Sequence, residues 1–129
     1  MVEQELNENS DSVYNIILVG DAAVGKTSII QRTIHNKFSA TYENTVGVDF
    51  EYKQINKSSK LKIWDTSCEE KYKSLISSYV RNASSIIIVY DVASKTSFDN
   101  VSKWISFIKT IKNCNMILCA NKIDLEIER

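Results

Sequence analysis

The stretch "GDAAVGKT", Gly20 to Thr27, constrains this chain more than any other segment. It fits the pattern G-x-x-x-x-G-K-[S/T] and follows the apolar run "VYNIILVG", Val13 to Gly20, which reads as a buried strand. It opens onto "GKTSIIQRTIHNKF", whose apolar residues recur at helical spacing. Strand, glycine turn and helix start are the setting this motif requires. Glycine lets the backbone wrap a phosphate chain, and successive N–H groups at a helix N-terminus supply positive dipole. Lys26 can reach the outer phosphates and the Thr27 hydroxyl can ligate Mg²⁺. Asp21, Ala22, Ala23, Val24, Gly25, Lys26, Thr27 and Ser28 are therefore the candidate phosphate contacts. An accidental glycine turn is the bland alternative, and the flanking strand and helix argue against it.

The rest of the chain alternates between strand and helix patterns. "FEYKQI" alternates as a half-buried strand does, "NKSS" is a polar turn and "KLKIW" is the next strand, so the pair reads as a hairpin. A segment from about Glu69 to Val80 reads as helix, and "SSIIIVYD" as a second buried strand. Val101, Trp104, Ile105, Ile108 and Ile111 mark one helix face, and "NMILCAN" is a third buried strand. This order predicts an α/β fold with a mostly parallel sheet and helices on both faces. In such sheets ligands bind beyond the carboxyl ends of the strands, here at Gly20, Asp65, Asp91 and Asn121.

Composition narrows the setting. A chain of 129 residues fits one domain, and its zero formal net charge argues against a broad nucleic-acid-binding surface. Cys68, Cys114 and Cys119 have no metal-ligand spacing, so reduced thiols in a cytosolic setting are the simplest reading. No run approaches the roughly 18 apolar residues of a membrane span. Residues 1–12, "MVEQELNENSDS", read as a flexible acidic tail, leaving 13–129 as the folded domain. Neither terminus carries a lipidation signal, so no membrane anchor is expected in this chain. His35 reads as a surface helix residue, Lys57 and Lys60 as a solvated turn, and Cys114 and Cys119 as inert small hydrophobes.

Two further segments carry chemistry. Asp65 ends an apolar strand; beside a phosphate loop its role is to hold Mg²⁺ through water, and otherwise it caps the following helix. "NKID" supplies Asn121, Lys122 and Asp124. An aspartate can accept from both N1–H and the exocyclic amine of guanine, whereas adenine leaves it unpaired, a discrimination worth roughly 10⁴ or more. Asn121 can contact the base edge and the phosphate loop, and the Lys122 stem can cover the ring face.

Gly20 to Thr27, "TVGVDF", "WDT" and "NKID" come in the order of a Ras-like small GTPase. "VGVDF", "LKIWDT", "SYVRNA" and "IVYDV" are similar to signature segments of the Rab family, and "KSLISSYVRNAS" with "SKWI" looks most like its Golgi-associated branch. The resemblance covers about Val13 to Leu125. It implies a P-loop NTPase fold, GTP and GDP with Mg²⁺ as ligands, and a switch regulating vesicle traffic. It implies that Thr45 meets Mg²⁺ and the γ-phosphate with Thr27 and Asp65 as the other metal-site residues, that Phe38 packs on guanine, and that Tyr42 closes over the phosphates. Phe50, Trp64 and Tyr79 match an aromatic trio presented to effectors, with core packing as the alternative, strongest for Trp64. Exchange and GTPase-activating factors are the other implied partners. The setting it implies is cytoplasmic, peripheral to Golgi or vesicle membranes if a longer form has a lipidated tail.

The chain departs from the family pattern in two places. Where relatives read D-T-A-G-Q-E, this chain reads D-T-S-C-E-E. Cys68 keeps an N–H for the γ-phosphate, but its Cβ penalises positive φ by roughly 1 kcal/mol. Glu69 replaces the glutamine that orients the attacking water and brings negative charge toward phosphate; loss of such a group costs about 10²-fold or more. Lys26, Thr45 and Glu69 are the catalytic candidates, with slow hydrolysis expected. The sequence also ends five residues after Asp124, where the resemblance implies that a last strand and helix would follow. A fragment or truncated gene product, or a domain completed by something else, are the readings of that ending, and a degenerate or truncated GTPase serving as a non-enzymatic interaction module is the alternative function.

Overall fold

The computed structural model describes residues 12–35, 48–66 and 73–124. In chain order these form β1 (Ser12–Val19), α1 (Lys26–His35), β2 (Val48–Asn56), β3 (Ser59–Thr66), α2 (Lys73–Arg81), β4 (Ser85–Asp91), α3 (Lys95–Asp99), α4 (Val101–Lys109) and β5 (Asn115–Asn121). The sheet order is β2-β3-β1-β4-β5. The β2–β3 hairpin is antiparallel and the other pairings are parallel. The Asn56 side-chain oxygen shapes the hairpin turn by accepting from the Ser58 N–H at 2.9 Å.

Strand alternation splits the core in two. Ile17, Val19, Trp64, Ile86 and Ile88 face Ile76 and Val80 of α2 and Val101, Trp104 and Ile108 of α4. Leu18, Ile63 and Val89 face the other way, against Ile30 of α1 and Val24. The expected helices on both faces are present. Among the described residues no helix is long and apolar enough to cross a membrane.

Several expectations shift. Ser12, assigned to the tail, already pairs with Ser59, and its N–H donates to the Ser58 carbonyl at 2.7 Å. β1 is buried only in its second half, because Val13 and Tyr14 run past the end of the neighbouring β4, whose pairing begins at Ile16. β5 was expected as a buried strand, yet Ile117 is 55% and Leu118 52% exposed. Among the described residues it is an outer strand with only β4 as a paired neighbour, and an apolar run cannot by itself distinguish a central strand from an outer one. Lys60 lies on β3 rather than in the turn, with its Nζ 4.6 Å from the centre of the Tyr52 ring. The short α3 has no apolar periodicity to betray it; Ser94 caps it by accepting from the Ser97 N–H at 3.2 Å.

Candidate functional site

The glycine loop joins β1 to α1 with backbone angles few residues tolerate. Gly20 has φ +149°, and a Cβ there would lie 2.3 Å from the Val89 carbonyl oxygen of β4. Gly25 has φ +101°, and Ala23, which is not glycine, has φ +63°. Buried Lys26 donates from Nζ to the carbonyls of Gly20 and Asp21, both at 2.8 Å. The ammonium thus sits at the loop from which phosphate would be met, and the loop's own carbonyls hold it there. Val24 packs into the core from the same loop, while Ala22 and Ala23 are exposed. Ser28 is half-buried in the first turn of α1.

The end of β5 locks onto this loop. Asn121 Nδ2 donates to the Val24 carbonyl at 2.8 Å, across 97 residues of chain. Lys122 adopts φ +64° and donates from Nζ to the Ala23 carbonyl at 2.6 Å. Its Nζ also lies 3.3 Å from Asp91 Oδ2 at the exit of β4, while Asp91 Oδ1 accepts from the Ala93 N–H at 2.9 Å. Asp124 is exposed in the turn that follows. The motifs "GDAAVGKT" and "NKID" are brought together as strand-exit reasoning predicts.

The Thr27 hydroxyl donates to Asp65 Oδ2, joining the start of α1 to the end of β3. Asp65 is 7% exposed. The next residue, buried Thr66, donates from its hydroxyl to the Leu18 carbonyl at 2.7 Å, which fixes the end of β3 against β1. Thr27 and Asp65 form a small, hard oxygen pair. No group of three or more His, Cys, Asp or Glu suited to a metal occurs among the described residues. An ion that keeps its waters and takes few protein oxygens, as Mg²⁺ does, suits that donor set.

Phe38, Tyr42, Thr45, Cys68 and Glu69 lie outside the described residues. The rings of the aromatic trio form one contiguous cluster. Trp64 packs at a tilt against Tyr79, with ring centres 4.2 Å apart, and against Phe50 at 4.8 Å. Trp64 is 8% exposed and joins the core, whereas Phe50 is 42% exposed, so packing and presentation are divided between neighbours. Lys62 Nζ lies 4.1 Å from the Phe50 ring centre and 4.4 Å from that of Trp64. His35 stands at the surface with Nε2 2.8 Å from Glu51 Oε2. Burial pushes the Cys119 thiol above its ordinary pKa, in keeping with an inert side chain.

One connection escaped sequence reasoning. Asp21, grouped with the phosphate contacts, engages its carboxylate elsewhere: Asn100 Nδ2 donates to Oδ2 at 2.6 Å and Trp104 Nε1 to Oδ1 at 3.1 Å. The available signal was Trp104 itself, because a buried indole N–H demands an acceptor.

A family model described as the Ras family matches residues 15–129. The chain is 38% identical to the Ras-related protein RABA4d of Arabidopsis thaliana over 126 residues, covering 94% of this chain and 57% of that protein. It is 38% identical to the Ras-related protein Rab-3D of Mus musculus over 128 residues, covering 95% of this chain and 58% of that protein. The Ras-related protein Rab-3 of Caenorhabditis elegans is 35% identical with the same shares covered. The chain thus spans less than three fifths of the length of these relatives. The family match begins within β1 and takes in the glycine loop, the end of β3 and the exit of β5 alike: the chain belongs to the Ras family.

Proposed function

We propose that this chain is a Rab-like guanine-nucleotide switch that binds GTP and GDP with Mg²⁺, hydrolyses GTP slowly and regulates intracellular vesicle traffic. The observation that carries the reading is the clamp between distant motifs, Asn121 on the Val24 carbonyl and Lys122 on the Ala23 carbonyl. It sets the "NKID" segment against the glycine loop, which supports reading the first as a guanine contact and the second as a phosphate cradle. In this reading Asp124 accepts from the guanine edge and the Lys122 stem covers the ring. Lys26 exchanges its bonds to the Gly20 and Asp21 carbonyls for bonds to the outer phosphates. Thr27, Asp65 and Thr45 would hold Mg²⁺, which when bound neutralises charge on the β- and γ-phosphate oxygens.

Glu69 then orients water poorly beside an anionic phosphate, and Cys68 restrains the segment that must reach it, which makes hydrolysis slow. Phe50, Trp64 and Tyr79 form the surface for effectors, with exchange and GTPase-activating factors as further partners. A place on Golgi or vesicle membranes rests on the sequence resemblance. A second reading, an interaction module that cycles poorly or not at all, is favoured by Cys68 and Glu69 together with the exposed Phe50 edge.

The test is the nucleotide recovered from purified protein, with thermal shifts in GTP, GDP and ATP plus Mg²⁺. Stoichiometric GDP or GTP and a guanine-selective shift are expected. Empty protein with no shift in any nucleotide would overturn the switch and leave the interaction module.

A further inference from the structure

We infer that Asp21 is a positioning residue for nucleotide binding, tying the phosphate loop to the corner between α3 and α4 through Asn100 and Trp104. The inference rests on the nucleotide reading of this loop and concerns a side chain that reading does not use. Both carboxylate oxygens are engaged by donors 79 and 83 residues away. Those donors have fixed bases. Asn100 sits where α3 ends and α4 begins: its N–H donates to the Thr96 carbonyl at 3.0 Å, and its own carbonyl accepts from the Lys103 and Trp104 N–H groups at 3.1 Å. Trp104 is 8% exposed within the core, so its indole cannot follow a moving loop. Hydrogen bonds to a carboxylate are stronger than neutral ones, and two from different residues fix its orientation.

The brace acts on Lys26 through one residue. Asp21 presents its carboxylate to α4 and its carbonyl to Lys26 Nζ at 2.8 Å. Rotating the Asp21 peptide would disturb both. Behind the loop lies a cavity of about 660 Å³, lined by Asp21, Ala22, Asn100, Lys103, Trp104 and Phe107 among others. There the loop is held toward α4 by directed hydrogen bonds beside open space rather than by close packing. A bland alternative is that Asp21 only satisfies a buried indole N–H. The two differ in what they predict for bound nucleotide.

The experiment measures release of a fluorescent GDP analogue from Asp21→Asn, Asn100→Asp, the double variant carrying both changes, and Trp104→Phe, each checked for folding by circular dichroism and melting. Asp21→Asn sets an amide N–H against a donor, and Asn100→Asp sets two carboxylates together; each should release nucleotide about tenfold faster. The double variant exchanges amide and carboxylate, restores complementary partners at unchanged net charge, and should return release close to the parental rate. Trp104→Phe keeps one aromatic ring in the core, loses the pyrrole ring with its single donor and should show a smaller acceleration. The Trp104 indole N–H resonance, assigned by its loss in Trp104→Phe, should move on GDP binding in the parent and less in Asp21→Asn. No recovery in the double variant overturns the brace. Tighter GDP binding by Asp21→Asn does so too, since charge rather than position would then be at work. Parental release from all variants leaves only the bland alternative. A parent that holds no GDP would refute the nucleotide reading instead, and with it the inference; an indole resonance indifferent to Asp21→Asn would then refute the contact as well.

Discussion

The side-chain amide of Asn121 occupies the space that a methyl group on Gly25 would need: a Cβ there would lie 2.2 Å from Asn121 Nδ2, the atom that holds the Val24 carbonyl. Gly25→Ala therefore meets two obstacles, this clash and a φ of +101° that side chains resist. We expect a lower melting temperature and GDP affinity weakened by at least about tenfold, taking roughly 1–2 kcal/mol for the backbone strain alone. Adding Asn121→Ala removes the clash but not the strain. The pair should recover part of the stability and none of the affinity, as read by melting and GDP titration.

Asp124→Asn should weaken GTP binding and relax selectivity toward xanthine nucleotides, because xanthine presents an acceptor where guanine has its amine. Competition with GTP, XTP and ATP against a labelled nucleotide reads this directly. A variant binding GTP as the parent does would remove Asp124 from base reading.

Cys68→Gly with Glu69→Gln should speed hydrolysis with little change in GTP affinity. In the proposed reading, binding rests on Gly20 to Thr27, Mg²⁺ and the "NKID" turn, none of which changes. Hydrolysis depends on a water held in line and on backbone free to approach the phosphate. Restoring the orienting amide should raise the single-turnover rate by about 10². Phosphate release from preloaded protein, with dissociation followed in parallel, is the measurement.

Cys119 gives a pH prediction. Desolvation by burial raises its pKa, so the folded chain holds this proton more tightly than the unfolded one. Below the ordinary thiol range, near about 8.5, both states are protonated and no penalty exists. As pH rises through that range the unfolded chain ionises first, and folding stability falls until the folded pKa is passed. Mass-resolved alkylation near pH 8.5 should modify Cys119 more slowly in folded than in denatured protein. Cys119→Ser should lessen the alkaline loss of stability.

Much of the site was legible because its residues occupy fixed places relative to strand ends. A strand followed by Gly20 to Thr27, and another ending at Asn121, must bring their exits to one edge of a parallel sheet. The β2–β3 hairpin was equally clear from period-two alternation on either side of a polar turn. What stayed hidden depended on partners remote in sequence. Leu118 and Ile117 look like core until the order of the described strands puts β5 at the edge. Asp21 looks like a loop acid until α4 presents Trp104 to it. Lys60 looks like turn solvation until pairing of Gln54 with Lys60 sets it on the hairpin face beside Tyr52.

Ala23 holds a left-handed backbone, and the Lys122 ammonium holds its carbonyl in place. For an alanine that conformation is uphill by roughly 1–2 kcal/mol, so local preference opposes the loop's shape. The shape is imposed from the far end of the sheet. A synthetic peptide of residues 13–35 should thus be a poor mimic of the loop, its backbone relaxing away from the curve that the intact chain maintains. During folding the loop should acquire its final form only after β5 has docked, late rather than as a local seed, although its sequence is the most recognisable in the chain.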